Sequence, residues 1–119
     1  MDVKSIVIVE RGQRTPHIPP LSDYKASSPS WTEAEYHCLD LATSHIKAGY
    51  WTGEIGSVTL DPWVYTEVCS ILSGRVAIVD TAGGRREFKA GDAFIVPKGF
   101  VGEWVTIEPA TKMYLAIYS

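Results

Sequence analysis

A phenol, a carboxylate and a thiol stand at alternate positions in the run Tyr65-Thr66-Glu67-Val68-Cys69-Ser70-Ile71. Side chains alternate across an extended strand, so Tyr65, Glu67, Cys69 and Ile71 share one face. A carboxylate there can anchor a ligand's hydrogen-bond donors or act as a general acid or base, with Tyr65 as a neighbouring proton carrier. Gly102, Trp104 and Thr106 share a second face by the same parity. An ionised glutamate taken out of water is costly unless a cation or hydrogen bonds answer it. Two cations are candidates, Lys112 and Arg75. Parity alone leaves Lys112 open, because Met113, Leu115 and Ile117 form the more apolar face of its strand and would leave Lys112 on the solvent side.

The histidines point away from a metal. Zinc and iron sites draw on two or three convergent histidines, whereas His17 lies in a proline-rich stretch and His37 and His45 show no His-x-His or Glu-x-x-His spacing. The expectation is no metal and no cofactor, with a non-standard pairing of His45 and Glu67 as the one alternative. Cys38 and Cys69 fit no zinc or redox spacing and read as reduced packing thiols. No phosphate-cradling glycine loop or nucleophile elbow is present; Gly83-Gly84 reads as a hairpin turn.

The elements that must hold these groups are strands. From residue 45 onward, short β-like runs are separated by turn signals at Asp61-Pro62, Ser73-Gly74, Ala82-Gly83-Gly84, Ala90-Gly91-Asp92, Pro97-Lys98-Gly99 and Glu108-Pro109. Many short strands without intervening helices argue an all-β antiparallel sandwich or barrel. Residues 3–10, rich in β-branched types, predict an additional strand at an edge. Residues 11–30 carry Pro16, Pro19, Pro20 and Pro29 and read as a wrapping arm. Residues 30–36 offer an N-cap and early acids, the makings of a short helix at most. The organisation expected is one domain over residues 1–119, with strand, arm and short helix in 1–44 and the barrel in 45–119.

Two phrases carry a family resemblance. Glu67 is followed seven residues later by Gly74, and Gly91-Asp92-Ala93-Phe94-Ile95-Val96-Pro97-Lys98-Gly99 follows in turn. This skeleton resembles the paired signatures of the cupin superfamily, and over residues 49–118 it is most similar to the ethanolamine-utilisation cupin and the halves of ureidoglycine aminohydrolase. The resemblance implies a jelly-roll barrel with one open mouth, paired into a homodimer. It places Glu67 inside the barrel and favours Lys112 as its cation. The metal-binding histidines of the pattern are missing: Asp61, Pro62 or Trp63 falls where the paired histidines belong, and Gly102 where the third does. The implied site is an aromatic-walled pocket of Tyr65, Glu67 and Trp104 with Lys112, together with Trp51 and Trp63. Trp51 leans towards core, Trp31 should pin the arm to the barrel, and Trp63, beside Pro62 in a turn, should be partly exposed.

Composition narrows the partners. A net charge of −3 and a pI near 5.5 favour neither nucleic acid nor an anionic membrane surface. The apolar run at residues 6–9 is too short to span a bilayer, and with no export signal apparent the expectation is a soluble, cytoplasmic protein. Three functions follow: a small-molecule-binding cupin, a metal-independent enzyme (lyase, isomerase or hydrolase) using Glu67 with Lys112 or Tyr65, or an assembly protein whose barrel is filled by its own side chains. The first two need the same residues, so the sequence leaves open whether the protein is an enzyme.

Overall fold

A computed structural model describes all of residues 1–119. The strands are β1 (Ala26–Ser27), β2 (Glu33–Leu41), β3 (Ile46–Gly53), β4 (Gly56–Leu60), β5 (Thr66–Asp80), β6 (Arg85–Lys89), β7 (Ala93–Val96) and β8 (Gly102–Ile117). Every pairing is antiparallel.

Two long strands organise the rest. β5 and β8 pair along their whole lengths, from Thr66 opposite Ile117 to Asp80 opposite Gly102. The first half of β8 pairs on its other side with β4, and its second half with β3. β5 likewise pairs with β7 through its first half and β6 through its second. The result is two layers, β1-β4-β8-β5-β6 and β2-β3-β8-β5-β7, that share bent halves of the same two strands. Strands that switch layers through bulges are the corner device of jelly-roll sandwiches.

The bends explain why two turn signals proved not to be turns. Ser73-Gly74 and Glu108-Pro109 were expected to end strands, yet they lie opposite one another inside continuous β5 and β8, where the pairing register slips repeatedly between Ile71 and Val76. Glycine and proline inside a strand mark bulges as well as ends. Gly74 takes φ +81°, and a Cβ on it would meet the Pro109 carbonyl oxygen at 2.2 Å. The kink therefore requires glycine on one strand and is accommodated by proline on the other.

The N-terminal third departs from expectation in three ways. Residues 3–10 form no strand: a 3-10 turn at Val3–Ser5 leads into unpaired backbone, with Val3, Ile6 and Ile8 exposed. Residues 30–36 hold no helix; Glu33 onward is strand β2, hydrogen-bonded to β3 from Glu33 opposite Gly53 to Leu41 opposite Ile46. The barrel accordingly begins before residue 45. Acids near an N-cap suggested a helix, but Glu33-Ala34-Glu35-Tyr36-His37 has period 2, and pairing with β3 decided the matter. The arm meets the sheet twice, through β1 against β4 and through an isolated bridge of His17 with Glu35; Pro16, Pro19 and Pro20 around the bridge prevent a longer ladder there.

The core cluster fills the space between the layers and includes Trp31, Trp51, Trp63, Trp104, Cys69 and Ile71. Trp31 does tie down the arm, through an edge-on contact with Tyr24 at 6.0 Å. No helix is long and apolar enough to cross a membrane.

Candidate functional site

Alternation along β5 and β8 sets the floor of a cavity. Glu67, Cys69 and Ile71 point inward from β5, while Trp104, Thr106, Ala110, Lys112 and Tyr114 are buried from β8. The buried face of β8 is thus its less apolar one, and the half-exposed face carries Met113, Leu115 and Ile117. Ordinary hydrophobic patterning would turn the strand over. The reason it does not is Glu67: Lys112 Nζ donates to Glu67 Oε2 at 2.5 Å, with both side chains buried. Arg75, the other cation weighed, sits outside with Glu87 and Glu108.

Further contacts hold this pair, and no buried polar side-chain atom is left without a partner. Trp63 Nε1 donates to Glu67 Oε1 at 3.2 Å. The Lys112 ammonium lies 3.8 Å from the centroid of the Trp104 ring and 4.8 Å from that of Trp51, two cation–π contacts in a desolvated setting. Burial pushes the Glu67 carboxyl up, but the Lys112 charge and the bonds from Lys112, Trp63 and Cys69 outweigh it and hold the group below the usual carboxylate range. Burial pulls the Lys112 ammonium down, and the Cys69 sulfur and Glu67 carboxylate outweigh that in turn, leaving it above the usual lysine range. Burial, with the Glu67 charge beside it, pushes the Cys69 thiol well up. The floor is a locked ion pair with an inert thiol beside it.

Trp63 is where expectation fails most clearly. It is 1% exposed rather than partly exposed. Its backbone N–H donates to the Phe100 carbonyl at 2.8 Å, its carbonyl accepts from Gly99 N–H at 2.8 Å, and its ring meets Phe100 edge-on at 5.6 Å. The Pro97-Lys98-Gly99 turn of the second phrase therefore clamps residue 63 against Glu67, contacts between segments far apart in sequence.

The pattern's metal does not fit at this position. The cation facing Glu67 is the protein's own ammonium, and Trp63 holds the other oxygen. At Gly102, where the third histidine belongs, a Cβ would lie 2.1 Å from the Val79 carbonyl oxygen, so no histidine side chain enters without moving the backbone.

Above the floor the cavity opens to about 460 Å³, walled by Trp51, Trp104, Tyr24, Tyr65 and Tyr114 among others. Tyr65 packs at a tilt against Tyr118 with centroids 4.9 Å apart, and burial, then the Glu67 charge, pushes its phenol well above the usual range. Trp51 and Trp104 serve as core and as cavity wall at once. A second groove between β6 and β7, lined by Phe88, Phe94 and Arg86, gathers no comparable set of buried polar groups.

Two groups of site residues come from β2. Glu33 accepts from Tyr24 Oη at 2.5 Å and from the indoles of Trp31 and Trp51 at 2.9 Å each. Further along the same inward face, Glu35 and His37 meet His17 of the arm at the cavity mouth; their ligand atoms lie within 4.8 Å of one another. His45 is on an exposed turn instead, in left-handed conformation at φ 55°. The signal that would have found Glu33, Glu35 and His37 is the i, i+2, i+4 polar spacing of a strand. No sequence signal brings His17 to them.

A two-layer jelly roll with an inward glutamate on one long strand and an open mouth defines a small cupin. The family model of the EutQ-like cupin domain matches residues 41–114, and the chain belongs to that family. Similar solved structures include the EutQ protein of Clostridium difficile, with TM-score 0.68 and 18% identity over 83% of this chain and 79% of that one. A putative ethanolamine utilization protein Q from Salmonella typhimurium gives TM-score 0.67 and 19% identity over 90% and 98%. A protein of unknown function from Pseudomonas syringae pv. tomato gives 0.75 and 21% over 91% and 46%. At these identities the likeness is one of fold. No curated protein matches the chain in sequence.

Proposed function

We propose that the protein is a small-molecule-binding cupin whose ligand lies between the aromatic walls, above the Lys112–Glu67 pair. The observation that carries this reading is the open cavity of about 460 Å³, of the size that holds small organic ligands, over a floor whose polar groups are already satisfied. Such a floor gives a rigid polar surface without competing for a proton. The cavity lining includes Asp23, Glu33, Glu35 and Glu67 against Lys47 and Lys112. That excess of carboxylate favours a ligand presenting amine, hydroxyl or ureido donors and an apolar face for the indoles.

Acid–base catalysis by Glu67 is the weaker reading. A general base needs a pKa near the working pH and reach to the substrate's proton; the Glu67 pKa is depressed, and each of its oxygens is turned to a donor of the protein itself. The filled-barrel reading has the open cavity against it. The test is a thermal-shift and calorimetric screen with amino alcohols (ethanolamine among them), ureido compounds and arylalkyl amines. A binder is expected to raise Tm by mass action and to lose that effect in Trp104→Leu. If no compound of these classes shifts Tm while the cavity stays open in solution, the binding reading fails.

The outer face of the β2-β3-β8-β5-β7 layer suggests the partner. Val68 stands beside Leu115 and Ile95 across the ladders, and Ile95 is 63% exposed. We infer that this apolar face pairs with itself in a two-fold homodimer. Light scattering should give twice 13.1 kDa, and Val68→Asp should reduce it to the monomer; a monomeric parent chain at micromolar concentration would refute the dimer.

A further inference from the structure

At the cavity mouth, His17, Glu35 and His37 form a constellation that the fold builds from two distant segments. The backbones of His17 and Glu35 exchange both hydrogen bonds, N–H to carbonyl in each direction at 2.8 Å. In a hydrogen-bonded antiparallel pair, directly opposed side chains stand on the same face. His37 is two residues beyond Glu35, so it joins that face by strand parity. Its Nε2 lies 3.2 Å from Glu35 Oε1, and the two imidazole centroids are 5.1 Å apart. A surface ion pair needs only one histidine; here a second is delivered to the same carboxylate by the arm, through a bridge that stands apart from the β1–β4 ladder.

We propose that these three residues bind a first-row divalent transition ion, of zinc type, at the rim of the cavity. Two imidazole nitrogens and one carboxylate oxygen are a donor set that such ions take, with a coordination position left open. Metal–ligand bonds are about 2.0–2.2 Å. The three ligand atoms, all within 4.8 Å of one another, need only small side-chain rotations to close on one ion. Both histidines are exposed and free to make them, while Glu35 is half-buried. Next to His37 in the ladder stands Gly49, over which the Tyr114 hydroxyl lies; a Cβ on Gly49 would be 2.7 Å from that oxygen. A ligand seated on the indoles would then present its amine or hydroxyl to the ion. The site is separate from the position of the family pattern's metal, which Lys112 and Trp63 occupy.

The test uses the full chain without an affinity tag, titrated calorimetrically with zinc ion after treatment with chelator. One ion per chain is expected, with a rise in Tm. His37→Asn and His17→Asn should each weaken binding at least tenfold, and His45→Asn, on its remote turn, should leave it unchanged. Both rim histidines are exposed, so circular dichroism and metal-free Tm should match the parent and show that the variants fold. Absence of stoichiometric binding by the parent chain overturns the proposal. So does binding that falls less than tenfold in the His17→Asn, His37→Asn double variant, or that falls equally in His45→Asn. Ligand binding above Lys112–Glu67 is measured separately in the organic-ligand screen, so either result can fail alone.

Discussion

The floor and the rim of one cavity treat charge in opposite ways. At the floor, Glu67 and Lys112 are buried, share a 2.5 Å contact and have all their neighbours assigned. At the rim, Glu35 is half-buried between two exposed histidines. A charge withdrawn from water must be committed to partners at once, because leaving it unpaired costs several kcal/mol. A charge that keeps some water can stay uncommitted and recruit a ligand. The floor should therefore govern stability, and the rim should govern chemistry.

The largest effect separating the two is expected from Lys112→Met. It strands a buried carboxylate and should destabilise by about 3–5 kcal/mol in chemical denaturation. The double variant Glu67→Met, Lys112→Met removes both charges and should recover most of that loss, because an apolar pair of similar volume is close to neutral. If the single variant is as stable as the parent, the floor is not a structural pair.

Restoring the family histidine should come next. Gly102→His drives a side chain into the Val79 carbonyl and should cost about 1–3 kcal/mol as an overpacking change, without producing zinc affinity at Glu67. Stoichiometric zinc at Glu67 in that variant would show that the floor can be reopened to metal. Trp63→Phe should cost about 1–3 kcal/mol, since it removes one donor from a buried carboxylate; an unchanged denaturation midpoint would make the indole bond dispensable.

The pH profile gives a subtler separation. The folded-state pKa of Glu67 is depressed, so its contribution is present above the ordinary glutamate value and is lost as pH falls through the folded-state one. That of Lys112 is raised, so its contribution is present below the ordinary lysine value and is lost as pH rises through the folded-state one. The stability difference between the parent and the Glu67→Met, Lys112→Met variant should accordingly be flat from about pH 5 to pH 10. A slope near neutrality would mean that one of the pair titrates there. The smallest effect belongs to the rim: His37→Asn without metal should shift stability by no more than about 0.5 kcal/mol, as exposed substitutions do. A loss of several kcal/mol would make His37 a structural residue.

What was legible in the sequence was local. Alternation at Tyr65, Glu67 and Cys69 gives their common face, and the turn residues give most strand ends, because both depend on the backbone and its immediate neighbours. The Glu67-to-Gly74 and Gly91-to-Gly99 phrases carry the jelly roll. The strand at residues 33–41 was hidden behind helix-capping residues that also suit a strand entry, and pairing with β3 decided between them. Residues 3–10 have strand composition but no partner, and β-propensity without a neighbouring ladder makes no strand.

Only the tertiary structure decided the rest. Lys112 faces inward against the hydrophobic pattern of its own strand because a carboxylate one strand away outweighs the burial of Met113 or Leu115. Trp63 is buried because a turn more than thirty residues onward closes over it. His17 reaches Glu35 through a backbone bridge that no spacing encodes. Strand parity is written in neighbouring residues, whereas ion pairs and metal-binding sets depend on register between strands, which is settled when the barrel closes.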